Sequence, residues 1–234
     1  MNLLNPKVPL SESVSTTILD FIRKHQLKPG DSLPSESEIG DMAGASRTVV
    51  REALRSLEAR RIIDMAAGKK ACVAILDNHA LANFIMNGVA TKQINVPQIH
   101  DVRRTVETRI AHLAALLRTN AQAQAISKHA EIMCDNFNKP EVVMKHDMAF
   151  HQELAQATQN PVYSIVMGSL SEVLTMTWPI TWRCRTSDEE RLASVKVHME
   201  IADAIKQGDP ELAVRMITKH FDEDLKPLAL SGMV

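Results

Sequence analysis

Aromatic residues are scarce: two Trp, one Tyr and five Phe, only 3% of the 234 residues. That is too few for most β-sandwiches, whose pleated faces lean on aromatic and β-branched side chains. It suits helices cored with Leu, Ile, Val, Ala and Met. Cysteine is also scarce. Cys72, Cys134 and Cys184 are far apart, odd in number and form no CxxC pair, which argues against a disulfide framework and for a reducing cytoplasm. No apolar run approaches the roughly 18–20 residues of a membrane span. The stretch Met1-Asn2-Leu3-Leu4-Asn5-Pro6-Lys7 lacks the charged start and apolar block of a signal peptide. Charged residues (24%) and apolar residues (45%) stand at ordinary values for a folded domain, so a disordered chain and a coiled-coil rod are excluded. What remains is a cytoplasmic, mainly α chain with no membrane partner.

The net charge of −1 hides an asymmetry. Residues 1–76 carry 11 Lys and Arg against 9 Asp and Glu, whereas residues 77–234 carry 16 against 19. Within 47–70 seven basic residues face three acidic ones, a local excess that suits a phosphate backbone. Histidine is skewed the other way, with eight of nine after residue 76.

The N-terminal part reads as three short helices and a hairpin. Val14, Ile18 and Phe21 make an amphipathic stripe over 10–25, and Pro29-Gly30 is a turn pair. Ser35-Glu36-Ser37-Glu38 is a capping box that opens a second helix. Gly44 stops that helix, and Ser46 is expected to cap a third over 47–60, with Val50, Leu54 and Leu57 inward and Arg47 and Arg51 outward. A helix, a Gly-containing turn and a second helix opening with Ser-Arg-Thr is a helix-turn-helix. The β-prone runs Ile62–Met65 and Ala71–Ile75 flank Gly68-Lys69-Lys70, a hairpin with a basic tip, as in a winged helix. A wing without DNA to touch would merely cover the small core.

Three blocks sharpen this: Leu33-Pro34-Ser35-Glu36-Ser37-Glu38-Ile39, Ser46-Arg47-Thr48-Val49-Val50-Arg51-Glu52-Ala53-Leu54, and Leu57-Glu58-Ala59-Arg60-Arg61-Ile62-Ile63. Together they resemble the DNA-binding domain of GntR-family transcriptional regulators, here over residues 8–76. The resemblance implies contact with a double-stranded, palindromic operator by Ser35, Ser46, Arg47, Thr48 and Arg51, and by Gly68 and Lys69 of the wing. Ser37 departs from the pattern, which commonly has Arg there, and so removes one expected DNA contact. Independently of any family, an arginine in the first turn of a helix can fork onto guanine O6 and N7. Serine and threonine beside the free N–H groups of a helix start suit phosphate.

Residues 79–228 read as about seven amphipathic helices, over 79–90, 97–118, 121–136, 140–158, 161–178, 188–206 and 210–226. Asn120, Pro140, Asn160-Pro161, Pro179 and Gly208-Asp209-Pro210 mark the breaks, and the expected architecture is an antiparallel bundle. In 97–118 the inward stripe is Ile99, Arg103, Val106, Ile110, Leu113 and Leu117. Three other stripes carry polar groups: Val143, Asp147, Phe150 and Leu154 with His151 alongside; Arg191, Ser194, His198, Ile201 and Ile205; Ala213, Met216, Ile217 and His220.

Three histidines and a carboxylate in one core are costly unless they share a partner. The turn Gly208-Asp209-Pro210 lies midway between His198 and His220, so an antiparallel hairpin sets both at one height. Asp147 and His151, one turn apart, supply two further donors on a single face. An oxygen and three nitrogens suit a divalent transition metal such as Zn, Ni or Mn. The alternative is separate structural histidines with water or backbone partners. His112, His129 and His146 fall off these stripes and are expected on the surface.

Val102-Arg103-Arg104-Thr105-Val106-Glu107, Asp147-Met148-Ala149-Phe150-His151 with Asn160-Pro161 following, and His198…Gly208-Asp209…His220 resemble the all-helical ligand-binding (FCD-type) domain of the FadR subfamily. The resemblance implies a divalent metal on Asp147, His151, His198 and His220, a small carboxylate effector, a homodimer and no fatty-acyl ligand. Arg103, Glu107, Asn160 and Trp182 are the candidate effector-binding residues. For Arg103 two readings stay open: an ion pair with Glu107 at the bundle edge, or a clamp on an effector carboxylate. Trp182 either caps the pocket or fills the core. The expected function is a DNA-binding regulator, a repressor, and not an enzyme. A metalloenzyme or a metal-ion sensor built on the bundle is the alternative.

Overall fold

A computed structural model describes residues 9–230, with side chains for all of these except Ile180 and 224–230. Met1–Lys7, read above for a signal peptide, lies outside the described residues. The chain divides into two compact units, residues 1–80 and 81–234.

The first unit holds α1 (Leu10–Lys24), α2 (Glu36–Ala43), α3 (Arg47–Ala59), β1 (Ile63–Asp64) and β2 (Cys72–Val73). Its core is apolar: Val14 and Ile18 of α1, Leu33, Ile39 of α2, Val50, Ala53, Leu54 and Leu57 of α3, and Ile63. The capping box forms as the sequence implies. Ser35 Oγ accepts from Glu38 N at 3.3 Å, and Glu38 carboxylate accepts from Ser35 N at 2.6 Å. Gly44, in the left-handed region at φ 60°, closes α2. Ser46 departs from expectation, for it makes no side-chain cap bond to α3. The first N–H groups of that helix therefore keep no capping side chain, as a helix start that receives an outside anion can afford.

β1 and β2 pair antiparallel, Ile63 with Val73 and Asp64 with Cys72. At the hairpin tip Gly68 adopts φ +72°, and nothing lies within 4 Å of where its Cβ would be. Its glycine is needed for the turn, not for space. Sequence reading missed one pairing. Gly30 N donates to Val73 O, Leu33 N donates to Ala71 O, and Ser32 bridges Cys72, so 30–33 lies along β2 through a single isolated bridge. A single bridging residue leaves no period to read.

The second unit holds α4 (His79–Ala90) from Leu81 on, α5 (Val96–Leu117), α6 (Asn120–Asp135), α7 (Pro140–Ala157), α8 (Pro161–Arg183), α9 (Asp188–Gln207) and α10 (Pro210–Leu230). Asn95–Gln98, Thr119–Gln122 and Ser187–Glu190 are capping boxes that start α5, α6 and α9. Gly208 ends α9 at φ 75°. The main core gathers Ile110, Ile126, Met133, Phe150, Leu154, Met167, Ile201 and Ile217. A smaller cluster, Ile99, Leu170, Val173 and Leu174, is covered by Ile85 and Met86 of α4.

Three expectations are corrected here. Pro179 does not break the chain, since α8 continues to Arg183. Proline removes one N–H and crowds the preceding turn, but Trp178 and Trp182 stack at 4.8 Å across it, and Trp182 is buried in the core. Tertiary packing outweighs the local penalty. Leu117 is 47% exposed and not inward, because Ala111, Ala114 and Ala115 take the core side of the last turns of α5. His129 and His146 are half-buried partners, Nδ1 to Nδ1 at 2.8 Å between α6 and α7, and not separate surface histidines.

Candidate functional site

In the first unit the polar groups of interest lie outside the core. Arg47, Thr48, Arg51, Glu52 and Arg55 line one exposed face of α3. Ser46, Gly68 and Lys69 are exposed as well. Arg51 Nε donates to both carboxylate oxygens of Glu36, at 2.9 and 3.1 Å. Lys70 Nζ lies 3.6 Å from Glu38. Arg61, counted above with the basic stretch, pairs instead with Asp77 at 2.5 Å and Asp64 at 3.8 Å. The cationic surface is therefore concentrated on α3 and the hairpin tip. Ser35 is engaged in its capping box.

In the second unit the polar groups are buried. Asp147, His151, His198 and His220 come together from α7, α9 and α10. His198 and His220 ring centroids lie 4.6 Å apart, His151 and His220 5.2 Å, His151 and His198 5.6 Å. One ring nitrogen from each of the three histidines falls within 4.8 Å of the others. Asp147 Oδ1 lies 2.9 Å from His198 Nε2 and 3.7 Å from His151 Nε2. The 2.9 Å contact has the length of a hydrogen bond without its direction. His151 Nε2 and both ring nitrogens of His198 have no hydrogen-bond partner among the described residues. Buried polar atoms left in this way are uncommon. Several aimed at one point are the arrangement expected of ligands around a cation.

Behind His151 stands a second layer. Glu107, on α5, accepts from His151 Nδ1 through one oxygen and from Arg103 Nε through the other. Burial alone would raise the Glu107 pKa, but the Arg103 and His151 charges hold it at about 2. A carboxylate on Nδ1 fixes the tautomer and turns Nε2 toward the centre. Asp147 is likewise buried, yet His151 and His198 beside it keep it well below the usual carboxylate range. Burial, with His198 and His151 adding to it, pushes His220 well below the histidine range. An ionised Asp147 and a neutral His220 are the forms that ligate metal, whereas at His151 the Glu107 charge outweighs burial and raises the pKa.

The centre opens into a cavity of about 40 Å³, room for roughly three waters at 10–15 Å³ each. Arg103, Asp147, His198 and His220 line it, together with Trp178, Thr181, Trp182 and Arg185. Arg185 lies over the Trp182 ring at 5.7 Å.

Residues 98–223 match the FCD domain, and residues 10–73 match the gntR family of bacterial regulatory proteins. The chain belongs to the GntR family and carries an FCD domain. Members of this family are DNA-binding regulators and not enzymes. The HTH-type transcriptional repressor NanR of Enterobacter sp. (strain 638) is 27% identical over 221 residues, spanning 91% of this chain and 83% of that protein. NanR of Salmonella newport (strain SL254) has the same identity and coverage. Among solved structures, Streptococcus agalactiae GntR shares the fold with a TM-score of 0.67 at 21% identity, covering 91% of this chain and 97% of its own. E. coli McbR/YncC follows at 0.53 and 17%, covering 96% and 99%. No helix among the described residues is long and apolar enough to cross a membrane.

The FCD domain distributes the remaining candidates unevenly. Arg103 is 4% exposed, so its pair with Glu107 is buried and not a bundle-edge contact. It also lines the cavity. Glu107 lies behind His151 with both oxygens engaged, and is not among the cavity-lining residues. Trp182 both fills the core and lines the cavity. Asn160 does not join them: exposed at the start of α8, it caps that helix by accepting from Val162 N at 3.1 Å. Arg191 is half-buried and pairs with Asp188 at 3.2 Å. Sequence reasoning missed Arg185 and Thr181, which follow Pro179 and reach the cavity only because α8 continues past it.

Proposed function

We propose that the chain is a metal-dependent transcriptional repressor of the FadR type, controlled by a small carboxylate metabolite such as a hydroxy acid or sugar acid. The observation that carries this reading is the convergence of His151, His198 and His220 with Asp147, the buried ring nitrogens His151 Nε2 and His198 Nδ1 and Nε2 unsatisfied among the described residues, beside a cavity lined by Arg103 and Arg185. A Zn, Ni or Mn ion held by these four residues would supply positive charge and open positions for carboxylate and hydroxyl oxygens. Arg103 would meet the effector carboxylate from the side.

The donors come from three helices, α7, α9 and α10, so ligand binding there favours one packing of the bundle over others. By linkage it would shift a homodimer between states of different operator affinity. Two recognition helices related by two-fold symmetry read a palindromic site. Ser46, Arg47, Thr48 and Arg51 on α3, with Gly68 and Lys69 on the wing, form the proposed DNA surface. A DNA partner in a bacterium places the protein in the cytoplasm. The repressor sense follows the NanR relatives.

The test is DNA binding by full-length protein, metal-loaded and chelator-treated, in a panel of hydroxy and sugar acids. The probe is a duplex enriched by the protein from a random library. An acid that weakens binding of the metal-loaded form alone supports the reading. Identical binding in every condition contradicts it.

A further inference from the structure

We propose that Glu36 is a positioning residue that sets base specificity, holding Arg51 by its Nε edge so that the opposite edge of the guanidinium meets a guanine. This rests on the reading of α3 as the DNA-contacting helix. The pair spans two helices: Glu36 is the first residue of α2 and Arg51 lies in the second turn of α3. Both helices are fixed from below, since Ile39 and Val50 share the buried core, and the Ser35–Glu38 box anchors the start of α2. Nε donates to Oε1 at 3.1 Å and to Oε2 at 2.9 Å. Arg51 nevertheless stays 62% exposed at its side chain, and its Nη1 and Nη2 have no partner among the described residues.

A guanidinium can present guanine O6 and N7 with either an Nε–Nη edge or the Nη1–Nη2 edge. With Nε occupied, only the second remains. A free arginine on the same face would reach phosphates in many directions, and phosphate contacts carry no sequence information. The tether narrows that choice. Its cost is a carboxylate on a surface that must approach phosphates, which lowers affinity for DNA of any sequence. Ser37, exposed and uncharged, offers Glu36 no competing cation, and the other carboxylate on the face, Glu52, accepts from Ser11 Oγ at 3.1 Å. Glu36 thus trades non-specific affinity for discrimination.

The experiment selects duplexes from a random library with full-length wild type, Arg51→Ala, Glu36→Ala and Glu36→Gln, and measures each protein on unselected random duplex. Wild type should enrich a motif with a guanine whose preference Arg51→Ala loses. Glu36→Ala should lose at least about tenfold of the preference at that same guanine, within the range of one bidentate contact, while its binding to random duplex does not weaken. Glu36→Gln, with one neutral acceptor in place of two ionised ones, should show a smaller loss confined to that position. A Glu36→Ala protein that keeps the guanine preference while Arg51→Ala loses it overturns this proposal alone. An Arg51→Ala protein with the wild-type motif overturns both it and the reading of α3. Should Glu36→Ala fail to fold, Glu36→Gln decides: loss confined to that guanine supports the proposal, and the wild-type motif overturns it.

Discussion

In the winged unit, the buried set is Val14, Ile18, Leu33, Ile39, Val50, Ala53, Leu54, Leu57, Ile63 and Ala74, with Ser15 as the one buried polar residue among those described. The groups assigned to DNA stand outside it, on α3 and the hairpin tip. In the FCD domain the order is reversed. Arg103, Glu107, Asp147, His151, His198 and His220 all lie in the interior, none more than 7% exposed. A surface site can be altered without disturbing the core beneath it. A buried polar site is part of the core, so loss of a partner is felt as loss of fold.

The largest expected effect breaks the buried side of this comparison. Glu107→Ala leaves the Arg103 guanidinium and His151 Nδ1 without their shared carboxylate, and should destabilise the FCD domain by about 3–5 kcal/mol. Glu107→Gln keeps the volume and should weaken metal binding by roughly 10–100-fold, as outer-layer changes do. Thermal unfolding beside metal titration checks both. An unchanged melting temperature in Glu107→Ala would show that the triad carries no weight.

The exposed side should respond in the opposite sense. Arg47→Ala and Arg51→Ala should each cost about 1–3 kcal/mol per lost base contact in operator affinity, with melting temperature and metal content unchanged. Measured by fluorescence anisotropy, wild-type affinity in both variants would remove α3 from the DNA interface. The smallest effect belongs to local structure. Ser35→Ala should cost about 1 kcal/mol through the lost cap of α2. It should lower the stability of the winged unit and leave metal content untouched.

The same contrast governs what was legible in the sequence. Ser35 and Glu38 announce a helix start by type and spacing alone, because capping is decided within four residues. The shared level of His198 and His220 could be read from their distances to Gly208, for a helical hairpin is a ruler. The role of Glu107 could not. Its pairing with His151 crosses 44 residues and depends on how α5 lies against α7. The run of α8 through Pro179 was equally hidden, because Trp182 is held by its burial in the core, tertiary packing that overrides a local signal. Leu117 failed for a related reason: a regular stripe of large residues hid that the small Ala111, Ala114 and Ala115 take the core side.

The central claim is that the buried centre holds a cation through which a carboxylate controls DNA binding. It is tested most directly by elemental analysis of wild type, His198→Ala and Arg103→Ala purified without chelator. Each is paired with DNA titration in the presence of hydroxy and sugar acids. Wild type should carry about one divalent transition metal per chain, and at least one acid should weaken its DNA binding. His198→Ala should lose both metal and response, with a lower melting temperature, because metal binding adds to folding free energy. Arg103→Ala should keep the metal and lose the response. Wild type that holds no metal as purified, and takes up none on dialysis, would contradict the account.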